Sequence, residues 1–272
     1  MKWIKKNLSS VILCLVFLVG LSLLLYPTIS DYWNSIYQSK AITSYESTVA
    51  KMREVDYRSV WDAAIEYNRK LQDDHSWFLT EEEEQEYNSL LNVGGTGMMG
   101  YLEIPDIDFS LPIYHGVDEA VLQVAIGHLV GSSLPVGGES THCVISGHRG
   151  LPSAKLFTNL DQLKEGDIFM MRVLDETLTY EVDQIRIVEP EDLSNIGIVE
   201  GEDLCTLVTC TPYGVNSHRL LVRGHRIENI DASSIRVTAD ALQIDPVIVA
   251  PVVAAPILLL LLIVLLVRYR KR

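Results

Sequence analysis

The stretch "TLVTCTPYGVNSHRLLVRGHR" (206–226) sets a strand-like run, a cysteine, a turn and a second strand-like run in immediate succession. Apolar and β-branched residues fill both runs, and Pro212, Gly214 and Asn216 lie between them, which reads as an antiparallel pair joined by a short loop. Such a pair returns Arg219 toward Cys210. A thiol near its ordinary pKa of about 8.5 is mostly protonated at neutral pH, so a nucleophilic cysteine needs electropositive company and a base within reach. Arg219 is placed to hold a developing oxyanion or to clamp a substrate backbone. Spacing alone leaves the other reading open, a structural thiol at a strand end.

Outward from this pair, the same texture of short runs broken by Pro, Gly, Asp and Asn continues upstream: "GYLEIP", "FSLPIY", "HCVIS", "DIFMMRVL" and "LTYEVDQIRIV". Several short strands with turn signals predict a mainly β fold, closed or nearly closed into a barrel, because open edges invite aggregation. One helix is expected to interrupt them at 118–126, "DEAVLQVAI". Before the strands, residues 34–72 carry helical spacing through Tyr45, Val49, Met52, Trp61, Ala64, Ile65 and Asn68. "TEEEEQEYNSLL" adds a helix, with Thr80 and Glu83 forming a capping box and the acids favouring the first turn. The glycine-rich "NVGGTG" (92–97) marks the boundary between a helical extension at 27–97 and a β-domain at 98–230.

Both ends of the 272-residue chain are apolar. Residues 247–267 carry no charge over 21 positions, which at about 1.5 Å per residue matches the roughly 30 Å hydrocarbon thickness of a bilayer. Residues 8–26 form a second uncharged run after Lys2, Lys5 and Lys6, and no small-x-small cleavage site follows before Tyr26 and Pro27. It reads as a signal anchor, with a cleaved signal peptide as the alternative. The basic tails, 1–7 and 268–272, are expected on the cytoplasmic side, which puts 27–246 outside with 231–246 as a linker. Of the 22 Lys and Arg, three precede the first run and four follow the second, leaving 15 between the runs against all 36 acids, a net charge of −21. Nucleic acid is not the partner of such a surface.

Three cysteines, Cys143, Cys205 and Cys210, fall in the outer segment, and an odd number does not make a disulfide framework. Among the seven histidines, His148 in "VISGHRG" sits where a strand ends between two glycines, so its ring can project into a cleft. His128, His142, His218 and His225 lie beside or within strands and read as structural, while His75 and His115 read as loop residues. No histidine or cysteine set has zinc spacing, and neither a metal nor a cofactor is expected.

"TLVTC" resembles the strand-end cysteine motif of sortases, "SGHRG" their histidine motif, and "NSHRLLVRGHR" the arginine strand that follows. The likeness runs through "GYLEIPDIDFSLPIYHG", "GHLVGSSLPVGGESTHCVISGHRG" and "LFTNLDQLKEGD", and so covers nearly all of 98–226. It implies an eight-stranded barrel and a transpeptidase in which Cys210 is the nucleophile, His148 the acid and base, and Arg219 the oxyanion stabiliser. It also implies a substrate with a Leu-Pro-x-Thr-Gly sorting signal. The helical extension and the second apolar run resemble class C, the pilin polymerases, whose acceptor is a lysine of the next pilin subunit. That class carries a lid with an Asp-Pro-aromatic motif. The corresponding "LQDDHSWFLTEE" offers Asp73 or Asp74 and Trp77 or Phe78, and no proline between them, so a lid at 73–78 is expected with altered contacts. Two rivals remain: a housekeeping sortase that hands the acyl group to a peptidoglycan precursor, and a non-catalytic membrane-tethered β-domain.

Overall fold

The computed structural model describes residues 8–73 and 76–229. The apolar run at 247–267, the linker at 231–246, both basic tails, Asp74 and His75 lie outside the described residues. Residues as far as Trp33 group into one unit and those from Asn34 into another.

The first unit belongs to helix α1, Leu8–Val49, which contains Pro27. The side chains of Ile12, Leu13, Val16, Leu18, Val19, Leu23 and Leu24 lie open, Leu23 at 71%. Water tolerates such a surface poorly and hydrocarbon tolerates it well. Among the described residues this is the one helix long and apolar enough to cross a membrane.

In the second unit the periodicity over 34–72 is divided between the end of α1 and helix α2, Glu54–Asp73. The chain turns between them at 50–53, and α2 restarts where Glu54 and Asp56 put negative charge at its N-terminus. Helix α3, Glu81–Ser89, begins on the expected capping box: Thr80 accepts from the Glu83 N–H while the Glu83 carboxylate accepts from the Thr80 N–H. These helices bury Tyr45, Ala64, Tyr67, Leu71 and Tyr87, and the turn after α3 buries Leu91, in one core with the strands. Polar groups pin them there. The Tyr45 hydroxyl donates to the Met99 carbonyl at 2.8 Å and accepts from the Leu174 N–H at 2.7 Å, and burial pushes its pKa up to about 12. Asn68 takes both the N–H and the carbonyl of Leu134. The buried Tyr87 hydroxyl meets His128 Nδ1 at 2.9 Å and accepts from the Gly116 N–H.

The strands are β1 (Met98–Ile104), β2 (Phe109–His115), β3 (Ile126–His128), β4 (Thr141–Ser146), β5 (Ile168–Val173), β6 (Glu176–Val188), β7 (Asp203–Thr211) and β8 (His218–Ile227). They close into an eight-stranded barrel in the order β1-β2-β3-β4-β7-β8-β6-β5. The pairs β2/β3 and β4/β7 are parallel and the others antiparallel. Closure leaves no unpaired edge, the property that the many short strands call for.

Two readings from sequence are corrected here. The helix expected at 118–126 is only a turn, α4 (Glu119–Leu122), and its last residue, Ile126, opens β3 instead. Ile126 pairs with Ile113 and is fully buried, so tertiary pairing overrides the local helical spacing. His115 is the last residue of β2 and buried, its ring nitrogens each 2.8 Å from a backbone carbonyl, of Gly97 and of Leu90.

Candidate active site

Strand β7 lies between β4 and β8, and this order brings three distant parts of the chain together. Along β7, Cys205 and Leu207 point into the barrel and are fully buried. Val208 faces the other way, joining Val144, Leu221 and Ile196 in an apolar cluster outside the barrel core. Cys210 follows Val208 by two residues, so the period of the strand puts it on that same outer face, half-buried. The antiparallel register sets Cys210 opposite Arg219 on β8, as Val208 is opposite Leu221.

On the other side, the parallel ladder of β4 and β7 ends at Ser146 opposite Val208. The backbone stays tied beyond it: the Gly147 N–H donates to the Val208 carbonyl at 3.0 Å, and Thr209 Oγ1 donates to the Gly147 carbonyl at 2.7 Å. His148 therefore leaves β4 level with Cys210. Only glycine fits at 147, since a Cβ there would come within 2.6 Å of the Phe157 ring and 2.8 Å of Ile126. The His148 carbonyl accepts from the Phe157 N–H at 3.0 Å. The structure thus gathers Cys210, His148 and Arg219 at one end of three neighbouring strands.

Arg219 donates through Nη1 to two backbone carbonyls, His218 at 3.2 Å and Asn216 at 3.4 Å. Among the described residues no carboxylate comes within ion-pair distance of it. A guanidinium has five N–H donors, and both of these bonds come from Nη1, so among the described residues Nε and Nη2 carry no hydrogen bond. The other arginines of β8 are engaged elsewhere. Arg223 makes a two-pronged pair with Asp183 at 2.8 and 3.0 Å, and Arg226 lies over the Tyr180 ring and donates to the Thr177 carbonyl. Neighbouring His218 meets Glu189 at 3.3 Å. Among the described residues no group of three or more His, Cys, Asp or Glu is placed to hold a metal ion.

The family model of the Sortase domain matches residues 102–227. The crystal structure of sortase C1 from Streptococcus agalactiae is 55% identical, with a TM-score of 0.69, over 70% of this chain and all of that one. The chain belongs to the class C sortases. A sortase C structure from Streptococcus pneumoniae, described as informative on catalysis and pilin substrate specificity, is 46% identical with a TM-score of 0.63, covering 70% of this chain and 97% of that one. The curated Sortase D of Bacillus subtilis is 32% identical over 131 residues, 47% of this chain, and the chain spans 63% of that relative's length.

In this sortase, the segment expected to form a lid is only partly within the described residues. Asp73 ends α2, and Asp74 and His75 are outside them. Trp77 packs on the outer cluster of Val144, Ile196 and Leu221, beside Leu129, Val188 and Val208. Its backbone and ring occupy the space that a Cβ at Gly131 would need, at 2.9 and 3.1 Å. The indole thus sits on the apolar surface that adjoins the Cys210–Arg219 pair, while Phe78 is 87% exposed. Of the two aromatics in this segment, Trp77 is the one expected to cover the site; Gly131 lets its backbone come close. The other two outer cysteines are core residues: Cys143 and Cys205 are register partners inside the barrel, and burial pushes the Cys205 thiol well above its ordinary range.

Proposed function

We propose that this sortase is a membrane-anchored cysteine transpeptidase that cleaves a Leu-Pro-x-Thr-Gly sorting signal between Thr and Gly and joins the acyl group to a lysine amine of a pilin subunit. The observation that carries the reading is Cys210, half-buried on the middle strand, with His148 level with it on one side and Arg219 opposite it on the other. The Cys210 thiolate attacks the threonine carbonyl and forms a tetrahedral oxyanion, which Arg219 stabilises. The C–N bond breaks as His148 gives a proton to the departing glycine amine. A thioacyl enzyme remains. The lysine amine then attacks the thioester, His148 takes its proton, the C–S bond breaks and an isopeptide bond forms. No cofactor enters these steps.

The helix α1 supports an anchor in the bilayer, and the basic flanks of the two apolar runs support a hairpin topology with the catalytic domain outside and both termini in the cytoplasm. Trp77, seated beside the site, supports a lid that covers the groove between substrates. The pilin acceptor rests on the class C likeness, since the barrel of a housekeeping sortase would make the same acyl enzyme. The experiment is a competition on the full chain in detergent, with a sorting-signal peptide as donor and two acceptors in equal amount, a pilin peptide with one lysine and a peptidoglycan stem peptide. An isopeptide product on the pilin lysine is expected. Exclusive transfer to the stem peptide would replace pilus assembly with cell-wall anchoring, and no transfer at all would leave a binding domain.

A further inference from the structure

His148 lies beyond the end of the β4 ladder, so strand pairing alone does not fix its position relative to Cys210. The next residue supplies what the ladder lacks. Arg149 has a side chain only 9% exposed, and its two terminal nitrogens reach in different directions. Nη2 pairs with the carboxylate of Asp161, in the short 3-10 helix Leu156–Gln162, and Nη1 donates to Thr211 Oγ1 at 3.4 Å. Thr211 is the residue after Cys210. The Tyr213 ring closes the arrangement from the loop between β7 and β8: the guanidinium carbon lies 5.9 Å from the ring centroid, and the ring rests against Gly150, where a Cβ would be 3.1 Å away. The 3-10 helix adds two ties to the same segment, from the Phe157 N–H to the His148 carbonyl and from the Gly150 N–H to Thr158 Oγ1 at 3.3 Å.

Burying a guanidinium is costly, and here Nε is enclosed without a hydrogen-bond partner. An apolar side chain at 149 would avoid that cost but would have no direction. The planar fork gives direction, since one rigid group spans the carboxylate of one element and the hydroxyl of another. We propose that Arg149, held by Asp161 and Tyr213, is a positioning residue that keeps His148 aligned with Cys210 through both proton transfers. This rests on the reading of His148 and Cys210 as the reacting pair.

The test uses the full chain in detergent and measures thioacyl formation on Cys210, kcat and KM for a Leu-Pro-x-Thr-Gly peptide, and Tm. The variants are Asp161→Asn, Tyr213→Ala and Tyr213→Phe, with Arg149→Lys as a fourth. Misplacing a catalytic group by about 1 Å costs up to ~10²-fold in rate, so Asp161→Asn, Tyr213→Ala and Arg149→Lys are expected to lower kcat about 10- to 100-fold. KM stays near its wild-type value, and so does Tm in Tyr213→Ala, whose ring is exposed; Asp161→Asn and Arg149→Lys disturb the nearly buried guanidinium and lower Tm as well, so their kcat is read at a temperature where each is fully folded. Tyr213→Phe keeps the ring and restores the rate. An unchanged kcat in folded Asp161→Asn and Tyr213→Ala, a Tyr213→Ala loss accounted for by a fall in Tm, or an equal loss in Tyr213→Phe would overturn the positioning role. In that case an intact wild-type adduct leaves the catalytic reading standing, whereas a wild type without adduct overturns both.

Discussion

Cys205 and Cys210 stand five residues apart on one strand and face opposite environments. Cys205 points into the barrel, fully buried, with its sulfur 3.8 Å from that of Met171, and burial holds its thiol protonated. Cys210 lies on the outer face, half-buried, between a histidine and an arginine that come from the two neighbouring strands. Positions separated by an odd number of residues face opposite sides of a strand, so one sulfur packs in the core and the other lies on the surface. The barrel interior supplies rigidity, and the outer face of β7 and β8 carries the half-buried Cys210 opposite Arg219. A nucleophile placed inside would be enclosed and beyond the reach of a peptide.

The sharpest way to break the contrast is to delete each sulfur in turn. Cys210→Ala is expected to abolish peptide cleavage altogether, while Cys205→Ala keeps turnover and loses about 1 kcal/mol of stability, the ordinary cost of a small core deletion. Paired activity assays and denaturant melts read both. Residual transpeptidation in Cys210→Ala, or loss of turnover in a folded Cys205→Ala, would erase the distinction.

Arg219→Lys comes next in size. Lysine keeps the charge and loses the planar fork, and removal of one oxyanion donor costs about 10² to 10³ in rate. Steady-state kinetics on the sorting-signal peptide measure it. Near-normal turnover would mean that Arg219 serves only the loop carbonyls of Asn216 and His218.

A smaller effect comes from the wall between the two faces. His142 is buried beside Thr206, with Nδ1 2.7 Å from the Gly197 carbonyl and Nε2 2.7 Å from Thr206 Oγ1. Burial, helped by the charge of Arg223, holds its pKa below the usual 6.5, although the Gly197 bond opposes this. The unfolded chain therefore takes up a proton near pH 6.5 that the folded chain refuses, so the stability from this group is present above that pH and is lost as pH falls below it. Burial also depresses His115, which acts in the same direction. Melts between pH 7.5 and 5 should show wild type losing stability, and His142→Gln a shallower decline. Parallel curves would contradict the assignment.

Smallest is the lid. Trp77→Ala, alone or with Asp74→Ala, is expected to raise the rate at which a thiol reagent labels Cys210 several-fold, together with peptide cleavage, because the indole leaves the cluster of Val144, Ile196 and Leu221. The segment has no proline to stiffen it, so its closure loses more entropy than an Asp-Pro lid would, and the gain on removal is correspondingly modest. Identical labelling rates would remove the lid from the account.

These features differ in how far the sequence could reveal them. The long strands were readable because alternation and turn residues are local, and Cys210 with Arg219 was readable because a short loop joins their strands. His148 was readable as a candidate from the glycines around it, but its partnership with Cys210 needed the motif likeness, since β4 and β7 pair over some sixty residues of chain. β3 has three residues, too few for a period to show, and its identity comes from pairing with β2. The bracket of Arg149, Asp161, Thr211 and Tyr213 also escaped, because a cation and a carboxylate twelve residues apart have no spacing that marks them as partners. Trp77 was visible as an aromatic in a loop, but its seat depends on Gly131, which only the fold brings beneath it.

The central claim is that the outer-face sulfur of β7 forms the acyl bond. Intact-mass and peptide-level mass spectrometry of the full chain in detergent, quenched in acid after brief exposure to a Leu-Pro-x-Thr-Gly peptide, tests it directly. The account predicts a thioacyl adduct, with the mass of the peptide through its threonine, on the fragment that holds Cys210 and on neither Cys143 nor Cys205. An unmodified chain, or an adduct on one of the barrel-interior cysteines, would contradict it.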